Sequence, residues 1–139
     1  MESIDLLFVE DSVNDAHFVQ RILKKENLTE KFCWLKNGEE VFNYFFQEKK
    51  PKPRFIMLDI KMPKVNGFEV LEKLKNNEQT KDIPIIIYSS SAQKSDITAA
   101  YALGANSYIN KPPRYQDMKE LFVNLFQYWI TLNKNVTND

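Results

Sequence analysis

The segment Phe55-Ile-Met-Leu-Asp-Ile-Lys-Met-Pro63 places one carboxylate, Asp59, at the end of an apolar run and just ahead of a loop bearing Pro63 and Gly67. The run is apolar without alternation and is preceded by Pro53, so it reads as a strand buried on both faces of a parallel sheet. In an open α/β sheet, ligands bind outside the carboxyl ends of the strands. Asp59 is therefore a candidate for chemistry. Three other strands are expected to end in matching polar groups: Glu10-Asp11, Ser89 and Lys111.

Outward from this segment the chain reads as five strand–helix units with short joints. The first strand is Ile4 to Val9, and Ser12 is placed to cap a helix running to about Glu26 with Ala16, Val19, Ile22 and Leu23 on one face. A second strand, about Lys31 to Leu35, ends at the turn signal Asn37-Gly38. The helix after it, about Glu39 to Lys49, presents Val41, Phe42, Phe45 and Phe46. The third strand, Arg54 to Leu58, leads to a helix over about Phe68 to Asn76. A fourth strand, Ile83 to Tyr88, carries Pro84 at its start, where a missing N–H is tolerated. Its helix ends at Leu103, with Gly104 placed to terminate it. The fifth strand, Ser107 to Asn110, stops at Lys111-Pro112-Pro113. The last helix, about Tyr115 to Leu132, repeats apolar residues at Met118, Leu121, Phe122, Leu125, Trp129 and Leu132.

Such alternation predicts one α/β domain: a doubly wound, five-stranded parallel sheet of order 2-1-3-4-5 (the flavodoxin-like arrangement) with helices on both faces. That order sets the first and third strands at the switch point and Glu10-Asp11 beside Asp59. The single domain is read as spanning 1–139, with a core over about 4–132 and a frayed polar tail over 133–139.

The 139 residues suffice for one core, and the formal net charge of zero gives no basic footprint for nucleic acid. The apolar run Leu6 to Val9 is too short for a signal peptide or a membrane span. A lone cysteine, Cys33, forms no internal disulfide and fits a reducing, cytoplasmic compartment. His17, Trp34 and the basic run over 49–54 read as surface, strand and solvated loop.

Three carboxylates in one crevice repel one another without a cation, and a hard oxygen set with open positions suits Mg²⁺. Taken singly, Glu10, Asp11, Asp59 and Ser89 each have a capping explanation, and Lys111 has a surface one. Taken together, they fall at the carboxyl ends of four strands of one inferred sheet. The set suits phosphoryl transfer: Asp59 as nucleophile, with Mg²⁺, the Lys111 ammonium and the Ser89 hydroxyl meeting the phosphoryl oxygens.

These pieces, in this order, resemble the receiver domain of response regulators of bacterial two-component signalling, over essentially the whole chain. The resemblance implies that Asp59 accepts phosphate from a sensor histidine kinase or phosphotransfer protein. It implies that Glu10, Asp11, Asp59 and the Lys61 backbone carbonyl hold Mg²⁺. Ser89 and Tyr108 become the switch pair, Lys61 and Ser91 the positions that tune phosphate lifetime, and Lys111–Pro112 a cis bond. Catalysis is then confined to self-phosphorylation and slow self-dephosphorylation. Output passes to a partner protein or a second copy through the fourth-helix/fifth-strand/fifth-helix face, with Val123, Phe126, Tyr128 and Ile130 as interface candidates. The architecture is also similar to stand-alone receivers paired with phytochrome-type kinases.

Three other readings compete. A phosphatase of the haloacid-dehalogenase type needs an acid two residues after its nucleophile, where this chain has Lys61. A flavin module needs a phosphate loop after the first strand, where Glu10-Asp11 would repel the phosphate. A phosphate-independent interaction module would have no use for the whole acid, hydroxyl and lysine set.

Overall fold

The structure is a computed structural model that describes residues 3–136. Five parallel strands, β1 (Ile4–Val9), β2 (Phe32–Leu35), β3 (Pro53–Leu58), β4 (Ile85–Ser89) and β5 (Ser107–Asn110), form one sheet of order β2-β1-β3-β4-β5. The expected order is the observed one. Between and after them run α1 (Val13–Lys25), α2 (Gly38–Phe42), α3 (Gly67–Lys75), α4 (Lys94–Ala102) and α5 (Tyr115–Phe126).

Strand residues alternate between two cores, because successive side chains of a strand point to opposite faces. Leu7, Val9, Ile56, Leu58, Ile85 and Ile87 meet α2, α3 and α4 through Val41, Val70, Leu71, Leu74 and Ala100. Leu6, Phe8, Phe55, Met57, Ile86 and Tyr88 meet α1 and α5 through Ala16, Val19, Ile22, Met118, Phe122 and Phe126. Phe55–Leu58 of β3 are fully buried on both faces of the sheet, which is why that stretch is apolar throughout.

The caps follow local chemistry. Ser12, Asn37 and Asn66 accept from the third N–H of α1, α2 and α3 at 3.2, 2.9 and 3.1 Å. Gly104, at φ +102°, ends α4 as expected. Ser89 caps no helix; α4 opens from Gln93, without a side-chain cap.

Two helices widen at their ends. The chain over Asn43–Gln47 continues α2 as a π-turn, and Gln127–Leu132 continues α5 the same way, with the Asn133 N–H reaching the Tyr128 carbonyl at 2.7 Å. A wider turn advances the buried stripe by more than four residues per turn. Phe126, four residues after Phe122 in the regular part of α5, is buried against Phe55 with ring centroids 5.5 Å apart, rather than on the outer face expected for it. Ile130 is half-buried in the same core, whereas Leu132, expected inside, is exposed. Val123 and Tyr128 are exposed as anticipated.

The tail also differs from expectation. Over 133–136 it lies against β3: Asn135 donates to the Arg54 carbonyl at 2.9 Å and accepts from Arg54 Nε at 3.3 Å. The remaining tail, 137–139, lies outside the described residues. Among the described residues no helix is long and apolar enough to cross a membrane.

Candidate functional site

β1 and β3 end side by side, and their register, Val9 opposite Leu58, delivers Glu10 and Asp59 to one crevice. Asp59 is anchored by its N–H to the Val9 carbonyl at 3.1 Å. Trp34, read from sequence as an ordinary strand residue, donates Nε1–H to the Glu10 carbonyl at 2.8 Å and fixes the turn after β1. Glu10 and Asp59 are buried while Asp11 is exposed, and each offers one carboxylate oxygen within 4.8 Å of the others. Gly67 keeps the far wall close. A Cβ there would overlap the Asp59 carbonyl oxygen, so any side chain would push the β3–α3 loop off the site.

Lys111 arrives at the end of β5 and crosses to the acids. Its Nζ lies 2.7 Å from Glu10 Oε1, 2.8 Å from Asp15 Oδ2 and 3.6 Å from Asp59 Oδ2. Only 15% of the Lys111 side chain is exposed, so a solvated surface lysine is excluded. Burial pulls its ammonium down, but hydrogen bonds to Asp15 and Glu10 and the charge of Asp59 outweigh burial and hold it above the ordinary lysine value.

Sequence reading missed Asp15. Its signal was an acid in the first turn of α1, which reads equally well as dipole complementation.

Burial pushes the Glu10 carboxyl above the ordinary carboxylate range; the hydrogen bond from Lys111 works against that shift, and the nearby charge of Asp59 adds to it. Glu10 Oε1 has no aligned hydrogen-bond donor despite the nearby ammonium. Glu10, Asp11, Asp15 and Asp59 face the single Lys111 ammonium, so the crevice is short of positive charge and its carboxylate oxygens fit a divalent cation.

Lys111–Pro112 is trans, as are all peptide bonds among the described residues, which corrects the expected cis bond. The trans isomer is the favoured one for X–Pro by about 0.5–1 kcal/mol. Here Lys111 reaches Glu10 from a trans bond, with its N–H held by the Ser89 carbonyl at 2.8 Å.

Ser89 is fully buried at the end of β4, and its Oγ accepts from the Ser91 N–H at 3.1 Å. Lys61 N–H donates to Asp59 Oδ1 at 3.1 Å. The half-buried Tyr108 donates its hydroxyl to the Ser91 carbonyl at 2.8 Å. Glu10, Asp11, Asp59, Lys111 and the Lys61 N–H therefore meet in one crevice, Ser89, Ser91 and Tyr108 form a hydrogen-bonded group at the ends of β4 and β5, and the interface candidates sit apart on α5 and its continuation, where Phe126 belongs to the core. His17 is exposed, edge-on to Trp34.

Fold and crevice define a class: a flavodoxin-like domain whose switch point holds an acidic crevice crossed by one lysine. Residues 6–122 match the family model for the response regulator receiver domain, and the chain belongs to that family. It is 31% identical over 129 residues to response regulator Rcp1 of Synechocystis, covering 90% of this chain and 88% of Rcp1. A probable methanogenesis regulatory protein, FilR2 of Methanothrix harundinacea, is 30% identical over 133 residues, covering 94% of this chain and 86% of FilR2. The solved Mn²⁺-bound form of Rcp1 superposes with a TM-score of 0.87 at 29% identity, covering 96% of this chain and 99% of that one. The phosphorylated cyanobacterial phytochrome response regulator RcpA gives 0.90 at 25% identity, covering 98% and 100%.

Proposed function

We propose that Asp59 is the phosphoacceptor of this receiver and takes its phosphoryl group from a phosphohistidine on a sensor histidine kinase or phosphotransfer protein. The observation that carries the reading is the Asp59 carboxylate itself: buried, 3.6 Å from the Lys111 ammonium, and in one oxygen cluster with Glu10 and Asp11. An Asp59 oxygen attacks phosphorus, the P–O bond forms as the P–N bond breaks, and the electron pair leaves on the histidine ring. Lys111 is parked on Glu10 and Asp15 and would shift toward the new phosphoryl oxygens, where it stabilises charge. Glu10, Asp11, Asp59 and the Lys61 carbonyl would hold Mg²⁺, which neutralises charge on the transferring group.

Phosphorylation adds about −1.5 to −2 charges at Asp59. The new oxygens compete for the Ser89 hydroxyl, which now accepts from the Ser91 N–H, and Tyr108 is tied to the same loop through the Ser91 carbonyl. Movement at the phosphate is thereby felt at β5. The output is protein contact, through a face that includes Val123 and Tyr128. A phytochrome-type kinase is the donor class favoured by the likeness to Rcp1 and RcpA. No external substrate is turned over, and the protein works in the cytoplasm.

The reading is tested by incubating the protein with Mg²⁺ and acetyl phosphate and weighing it. The parent gains one phosphoryl mass and Asp59→Asn gains none. An unmodified parent, or an undiminished adduct in the variant, ends the proposal.

A further inference from the structure

Lys61 and Ser91 belong to separate segments, yet one side chain gathers them. Asp96, in the first turn of α4, accepts the Ser91 hydroxyl on Oδ2 at 2.5 Å. The same oxygen lies 3.4 Å from the Lys61 ammonium, and only 14% of the Asp96 side chain is exposed. Through Ser91 the chain of hydrogen bonds continues in two directions: its N–H donates to Ser89 Oγ at 3.1 Å and its carbonyl accepts from Tyr108 at 2.8 Å. An acid here would complement the dipole of α4 in any case, but that role needs neither Lys61 nor Ser91.

The Lys61 side chain springs from beside the acceptor, because its backbone N–H is on Asp59 Oδ1 at 3.1 Å. Its ammonium, however, is on Asp96 and not on Asp59. Rotation of side-chain torsions alone would carry it to a phosphoryl group on Asp59.

We infer that Asp96 is a positioning residue that holds the Lys61 ammonium off the acceptor and so shortens the life of the phosphorylated state. This rests on Asp59 being the phosphoacceptor. A freed Lys61 would pair with the non-bridging phosphoryl oxygens, which carry more charge in the ground state than in a loose, metaphosphate-like transition state. The ion pair would therefore favour the aspartyl phosphate over its hydrolysis and obstruct the approach of water. Asp96 opposes this by competing for the same cation.

Decay of the phosphoprotein after removal of acetyl phosphate, followed by mass, tests the inference in parent, Asp96→Asn, Lys61→Gln and the double variant. All four keep the backbone carbonyl at Lys61. Asp96→Asn is expected to decay about fivefold more slowly than the parent, the size of effect that one partly solvated ion pair exerts. In the Lys61→Gln background the same substitution is expected to change nothing, which a merely structural role of Asp96 would not produce. An unchanged or faster decay in Asp96→Asn, or an equal slowing without Lys61, overturns the inference while leaving the acceptor intact. A parent that never takes up phosphate overturns the acceptor reading, and the inference falls with it.

Discussion

Among individual side chains, one cation decides the charge of the crevice. Lys111 stands against three carboxylates, of which Glu10 is fully buried. Removing one member of a buried ion pair leaves the other's charge uncompensated, at a cost of about 3–5 kcal/mol. Lys111→Met is therefore expected to lose about 3 kcal/mol in metal-free buffer at neutral pH. Divalent cation should restore part of that loss, since a ligand bound only by the folded state stabilises it by mass action. Urea unfolding with and without Mg²⁺ reads both effects, and an unchanged midpoint in the metal-free variant would contradict the assignment. Glu10, Asp59 and Ser89 were legible in sequence because each closes an apolar run, and Lys111 because Pro112-Pro113 stop its strand. Asp15 and Asp96 were not, because an acid in a helix's first turn has a sufficient local explanation.

Within single elements, the end of α5 shows where periodicity stops being a guide. A repeat of 3.6 residues carried on past Trp129 selects Leu132 as buried, and the π-turn turns it to solvent instead, whereas Phe126, one turn after Phe122, is buried by ordinary helical spacing. The consequence is a smaller outward apolar face, carried by Val123 and Tyr128 with Leu132 beyond them. If that face pairs two phosphorylated copies, sedimentation velocity should show a dimer that appears with phosphorylation. Tyr128→Glu should return it to monomer without altering the phosphoryl adduct. A monomer in both states at high concentration would remove self-association and leave a different partner as the listener.

Across the molecule, two cores share one sheet, and groups that bind them set how stability responds to pH. Tyr44 lies in the core beneath β2 and β3, with its hydroxyl donated to the Pro51 carbonyl. Burial, with Cys33 adding to it, pushes its phenol up to about 12 from an ordinary value of 10. An acid whose folded value is raised is fully favourable below its unfolded value and loses that contribution as pH climbs toward the folded one. Stability should therefore hold below about pH 10 and fall between about pH 10 and 12 as the unfolded chain ionises first. Tyr88, raised by burial, acts in the same direction. Tyr44→Phe should flatten the Tyr44 part of that fall, measured as urea midpoints at about pH 9 and about pH 11. An identical alkaline slope in the variant would count against it.

Sequence alone specified the five strands, their order and the polar group closing each of four of them. Those properties come from short-range causes: side-chain alternation, caps, breakers, and the crossover rule for parallel strands. Which charges meet is settled only in three dimensions. Lys111 and Asp15 are 96 positions apart, and nothing local says that the ammonium rests on Asp15 and Glu10 rather than on Asp59. The same holds for Asp96 gathering Lys61 and Ser91, and for Asn135 closing on Arg54. Pairing energy depends on distance and burial in space, and the chain reveals neither until the sheet has brought its strand ends together.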